Sequence, residues 1–482
     1  MKLKLIPSRS QFEDWSMPSK VGYIAFWLTV LGILLTIIFH ITAPDYSKPM
    51  SELIENNRVL ETKNSKLLQQ EVECRLRYEQ LEKTIECRNS FDVTNDEIKR
   101  LARKLENASK NLLVKGNSKF LLGKYDEAKE WWTEAANQGN KYAQFNLGLL
   151  YDYGLGFEKN DSSAFHWYQK AAKQGYSNAQ NSLGISYLEG IGVSQNYNMA
   201  FHWLEKAAKQ ENAKAQNNLG ILYFDGKGVK QDYNKAFHWF LKAAEQGYVN
   251  AQNSLGISYL EGTGISQNYN MAFHWLEKAA KLGYAKAQNN LGLMYFNGKG
   301  VKQDYYRAFH WYQKAAKQGH LDAQYNVGLM YFQGKGVKQD YDMAFHWLEK
   351  SAKQGFREAQ YNVGLMYYYG KGTEQDNGMA VYWFQKAAEQ GFANAQNNFG
   401  AMYFEGTGVE QDYEKAIHWF LKAAEQGYVN AQYHLGLVYY KSKGVEQDYD
   451  IASKWFRKAA EQGDIKSINY LREIESKRKL KK

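Results

Sequence analysis

Proline is nearly missing from this chain: its four copies, Pro7, Pro18, Pro44 and Pro49, all precede residue 50, so the remaining sequence has no proline punctuation. Cysteine is scarcer still, with only Cys74 and Cys87. Residues 21–43 (VGYIAFWLTVLGILLTIIFHITA) lack Asp, Glu, Lys and Arg, and residues 51–106 lack glycine and proline. A chain of 482 residues that is 44% apolar and 23% charged has room for two or three ordinary domains. Forty glycines and 37 tyrosines are too many for a simple coiled coil and too evenly spread for a disordered tail, which points to an internal repeat.

The uncharged stretch at 21–43 is long enough for one bilayer crossing, which takes about 20 apolar residues. A cleaved signal peptide, ending near Ala43, competes with this reading but needs an apolar region of only about 7 to 15 residues. Lys2, Lys4, Arg9 and Lys20 precede the span, whereas Lys48 and Arg58 follow it among Asp45, Glu52 and Glu55. The positive-inside rule therefore predicts a single-pass protein with residues 1–20 in the cytoplasm, the rest being periplasmic in a bacterium or lumenal in a eukaryote. His40 lies close enough to the end of the span to sit at the interface.

Residues 44–106 read as a helical stalk or weak coiled coil. Leu53, Leu60, Leu67, Cys74 and Leu81 recur every seventh residue, but the companion positions Asn57, Asn64 and Glu71 are polar until Tyr78 and Ile85. In a continuous helix Cys74 and Cys87 are about 20 Å apart, too far for a bond within one chain. An interchain disulfide, and with it a parallel homodimer, is the expectation in an oxidising compartment.

Tryptophan then returns at every thirty-sixth residue from Trp131 to Trp455. A second series keeps the same register, from Leu147-Gly148 through Leu219-Gly220 and Val327-Gly328 to Leu435-Gly436, with tyrosine four residues after the first member. Each unit reads as helix, loop, helix. Ala215, Leu219 and Tyr223 form one apolar stripe, and Ala236, Trp239 and Ala243 form the other. Gly220 removes a side chain where the helices meet; Gly226, Gly228 and Gly247 supply the left-handed corners.

The pattern AxxxLGxxYxxGxGVxQDYxxAxxWxxKAAEQG resembles the Sel1-like repeat, a relative of the tetratricopeptide repeat. Nine copies fill residues 143–466, after a shorter tetratricopeptide-like capping unit at 107–142 and before a capping helix and basic tail at 467–482. The resemblance implies an all-α, right-handed α-solenoid whose first helices line a concave groove and which serves the assembly of other proteins. Glu211, Ser442 and Asn377 depart from the pattern, and their corners are expected to be distorted. Arg472, at a glycine position with no following helix to admit, fits a cap.

Chemistry finds little footing in these repeats. His166, His202, His238, His274, His310, His346 and His418 each precede a tryptophan, but copies in different repeats lie roughly 10 Å or more apart, whereas zinc holds each nitrogen at about 2 Å. The lysine one turn later also repels a cation, so no metal is expected. The loop GKGVKQD lacks the ending of a phosphate-binding loop and follows a helix. Cysteine-rich relatives described as β-lactamase-like carry a cysteine pair per repeat, and these repeats have none. No enzyme activity and no cofactor are expected. The formal charge of +10 is dispersed among neighbouring acidic residues, so nucleic acid is not the expected partner.

A membrane-anchored scaffold for a protein partner remains, with an envelope polysaccharide or secretion-machinery assembly scaffold as the alternative. By resemblance to tetratricopeptide repeats, groove positions lie two before, two after and five after the core leucine. The first set includes Asn181, Asn217, Asn253, Asn289, Tyr325, Tyr361, Asn397 and Tyr433, with amides able to pair with a peptide backbone. The last includes Phe224, Phe296, Phe332, Tyr368 and Phe404, an apolar row for burial.

Overall fold

A computed structural model describes residues 112–480. The segments read above as cytoplasmic N-terminus, membrane span and stalk, with Cys74 and Cys87, lie outside the described residues. Among the described residues there are 21 helices and no strand, and no helix is long and apolar enough to cross a membrane. The chain divides into two compact units, within residues 1–283 and 284–482.

In the first unit the pair Ala213–Asp225 and Tyr233–Glu245 shows how one repeat is built, each helix having 13 residues. Gly226 ends the first helix at φ 70°, and the Asp232 side chain accepts from the Lys235 N–H to start the second. Between them the Gln231 amide donates to the Phe224 carbonyl at 2.7 Å, and the Asp232 N–H donates to the Tyr223 carbonyl at 2.9 Å. Gly228 is required by contact as well as by its φ of 68°, because a Cβ there would fall onto the Tyr197 carbonyl of the preceding pair. At Gly220 a Cβ would lie 2.6 Å from a ring carbon of Phe240, so the two helices of a pair close over that missing side chain.

That contact corrects the second stripe. Ala236 and Ala243 are buried as expected, but the residue facing the glycine is the one after each tryptophan, and Phe240 is buried where Trp239 is half-exposed. Tyr168, Leu204, Leu276, Tyr312, Leu348, Phe384, Phe420 and Phe456 repeat the arrangement. The tryptophans sit at the margin of the core. Those at 203, 275, 347 and 383 are buried with indole N–H groups that have no partner, while Trp167, Trp239, Trp311 and Trp419 are half-exposed.

The second unit repeats the plan and closes on Ile465–Leu480. Tyr470 of this helix stacks on Phe456 with centroids 5.0 Å apart, Ile474 is buried, and Arg472 is exposed. The three departures keep their corners. Glu211 and Ser442 adopt φ of 62° and 58°, the left-handed conformation the glycines take elsewhere. Beside Gly175 and Gly247, the equivalents of Glu211, nothing lies within 4 Å, so a side chain there has room and only the backbone is strained, whereas at Gly406, the equivalent of Ser442, a Cβ would lie 3.2 Å from the Gln411 Cβ. Asn377 begins its helix as the tyrosines do, with Asp376 accepting from the Met379 N–H.

Candidate interaction surface

Asparagine two positions before the core leucine was expected to face a partner. Instead Asn181, Asn217, Asn253, Asn289 and Asn397 are buried, and only Tyr325, Tyr361 and Tyr433 of that row are half-exposed. Several of these side chains are engaged by the next repeat. Asn218 donates to the Asn181 Oδ1 at 3.1 Å, Asn326 to the Asn289 Oδ1 at 3.1 Å and Asn362 to the Tyr325 hydroxyl at 3.4 Å. Asn397 meets the His434 Nδ1 at 2.9 Å, a bond that needs the Nδ1–H tautomer. Burial, with Lys466 nearby, depresses the His434 pKa to about 4. This row is therefore the seam between successive repeats.

A second seam was missed by the sequence reading. The buried Gln180 donates to the Ala172 carbonyl of the preceding helix and accepts from Gln210 at the end of its own repeat, at 2.7 Å. The same relay runs through Gln144, Gln216, Gln324, Gln360, Gln396 and Gln432.

The row five after the leucine is half-buried. Phe224, Phe296, Phe332 and Phe404 meet the tyrosine that opens the second helix edge to face, with centroids 5.1 to 5.3 Å apart. Tyr368 faces Tyr369 instead, because Asn377 replaces its tyrosine. Where this row begins, Asp152 takes the aromatic position. It accepts from the Tyr168 hydroxyl at 2.9 Å, and burial raises its pKa against the opposing effect of that bond. The most open apolar row is the middle one, two after the leucine. Ile185, Ile257, Leu329 and Leu365 are half-exposed, and Ile221 and Leu293 are 37% and 41% exposed.

On the second helices all seven histidines before tryptophan are exposed. The following lysines lie over the tryptophan rings, Lys170, Lys206, Lys242, Lys278, Lys314, Lys350 and Lys422 at 4.4 to 5.0 Å from the centroid. Among the described residues no group of three His, Cys, Asp or Glu side chains is placed to hold a metal ion.

The Sel1 repeat pattern matches ten consecutive stretches, a short one at 118–140 and then 36-residue repeats from 141–176 to 429–464. The chain belongs to the Sel1 repeat family. Proteins with these repeats are generally protein-interaction scaffolds, and the family is typically non-catalytic. Among solved structures it is similar to a Sel1 repeat protein from Oxalobacter formigenes, with 36% identity, a TM-score of 0.48 and coverage of 63% of this chain and 87% of that one. It is also similar to c5321, a protective antigen of uropathogenic Escherichia coli, with 34% identity, a TM-score of 0.40 and coverage of 80% and 90%. A shorter match is Helicobacter pylori cysteine rich protein B, with 30% identity, a TM-score of 0.23 and coverage of 27% and 94%. No curated protein sequence matches this chain.

Proposed function

We propose that this Sel1 repeat protein is a non-enzymatic scaffold, anchored in a membrane by residues 21–43, whose first helices bind an extended segment of a partner protein. The observation that carries this reading is the middle row. Repeat after repeat presents Ile or Leu two residues beyond the core leucine, and helix packing leaves Ile221 and Leu293 more than a third exposed. Within each unit the aromatic row beside it, Phe224 in the first and Phe296, Phe332, Tyr368 and Phe404 in the second, widens the apolar track on one side. The asparagines Asn181, Asn217, Asn253, Asn289 and Asn397 act from behind, fixing the spacing at which the track recurs, while Tyr325, Tyr361 and Tyr433 bring half-exposed rings to the same line.

The test is crosslinking and pull-down of the full anchored chain from its own membrane, with Ile185, Ile221 and Ile257 changed together to serine. Capture of the partner is expected to fall while helical circular dichroism is retained. Unchanged capture by a folded triple variant would place binding elsewhere. Recovery of the chain in a soluble fraction, without carbonate or detergent, would remove the anchor from the proposal and leave the scaffold standing.

A further inference from the structure

Two buried amide oxygens in the first unit have no donor, and both defects trace to one repeat. Gln252 is fully buried and donates to the Ala244 carbonyl, but its Oε1 is unpaired. In the relay described above that oxygen accepts from a glutamine at the end of the same repeat, where residue 282 is a leucine, 48% exposed. The Asn217 Oδ1, in a side chain only 4% exposed, is the second. The seam donor it requires is replaced by Ser254, whose hydroxyl donates to the Asn250 carbonyl of its own helix.

Residues 250–282 are nearly a copy of 178–210, differing only at Ile191/Thr263, Val193/Ile265 and Gln210/Leu282. In the first setting the copy matches its surroundings. Ser182 comes beside Phe145, which needs no donor, and bonds the Tyr168 hydroxyl; Gln210 completes Gln180. In the second setting Phe240 stands where Tyr168 did, and Asn217 where Phe145 did. The serine finds no tyrosine and leaves an amide unanswered.

We propose that the repeat at 249–284 is a built-in weak joint, the place at which the first unit opens first. An unmet buried acceptor lowers the free energy of local opening, because water satisfies it once the seam parts. The weak joint gives the first unit one defined place to open, and it does not depend on which partner the first helices bind.

The near-identity of the two segments supplies the assay. Hydrogen exchange is followed by mass spectrometry on the full chain, using peptides that contain positions 191–193 or 210 in one copy and 263–265 or 282 in the other. Their intrinsic exchange rates nearly cancel. Amides of 250–282 are expected to exchange on the order of tenfold to a hundredfold faster than their counterparts in 178–210. Fraying from the array's beginning biases the comparison the other way, since 178–210 lies nearer to it. Leu282→Gln with Ser254→Asn, which restores both donors, is expected to bring the two copies together. Gln210→Leu is expected to transfer fast exchange to the first copy. Equal rates in the unaltered protein, slower exchange in 250–282, or a difference that persists in the double variant would each overturn the proposal.

Discussion

Gly220→Ala ought to stabilise an ordinary helix, because alanine is favoured over glycine by up to about 1 kcal/mol in a helix interior. Here the opposite sign is expected. The added Cβ would sit 2.6 and 2.7 Å from two ring carbons of Phe240 and 3.2 Å from the Ala236 carbonyl oxygen. Phe240 is only 4% exposed, and it has a second helix behind it, so relief requires the pair of helices to part. Overpacking of this kind costs about 1 to 3 kcal/mol, which leaves a net loss of up to about 2 kcal/mol after a helix gain of about 1 kcal/mol is subtracted. Urea unfolding followed by tryptophan fluorescence reads this as a lower midpoint, with the loss confined mainly to neighbouring repeats. A cycle with Phe240→Ala tests the cause. That change alone costs about 3 to 5 kcal/mol, and the Gly220→Ala methyl partly fills the space it leaves, so the double variant must lose less than the sum. A midpoint raised by Gly220→Ala, or strict additivity in the cycle, would refute the reasoning.

Three further outcomes are expected, the last of them from the sequence alone. Glu211→Gly relieves a left-handed backbone and is expected to stabilise the first unit by about 1 kcal/mol, after allowing for glycine's greater freedom when unfolded; a lowered urea midpoint would contradict this. The His434 pKa is depressed from 6.5 to about 4, so the neutral ring contributes stability above pH 6.5 that is lost as pH falls through that window, by up to about 3 kcal/mol. His434→Asn keeps a donor for Asn397 and is expected to flatten this dependence in pH-resolved unfolding. Non-reducing electrophoresis of the full chain from an oxidising compartment is expected to show a dimer joined through Cys74 or Cys87, which a monomer band with both thiols alkylatable would exclude.

Much of the fold is legible in the sequence because stacking imposes the same demand on every repeat. A helix pair that must admit its partner needs glycine at 148, 184, 220 and onward, and a helix that follows a tight loop needs Asn or Asp at its cap; both recur at a fixed step. The choice between adjacent residues of the second helix is less visible. Trp239 and Phe240 are separated by one residue, about 100° of rotation, so either satisfies an apolar stripe of that width. What decides is the glycine opposite, which selects the neighbour whose ring fills the space. The signal was present: the position after the tryptophan of each repeat is always Trp, Tyr, Phe or Leu, with an exposed histidine two places earlier in seven of the ten.

The surface was harder to read for a geometric reason. Aligning repeats compares each column with itself, at a step of 36, but the seam bonds join different columns. Asn181 meets Asn218, 37 residues on, and Gln180 meets Gln210, 30 residues on. A ladder of asparagines in one column therefore looks unoccupied when its partners stand in the next column of the next repeat. Amides at such a seam bond to one another before they bond to a ligand, since burial makes an unmet acceptor costly. The Ile and Leu row two after the core leucine is one of the groove rows that the tetratricopeptide resemblance implies, and no element of the same unit covers Ile221 or Leu293 fully. Apolar side chains left open at a regular step, over amides that are buried and for the most part bonded to one another, form a track suited to burial of a partner's side chains more than to hydrogen bonding of its backbone.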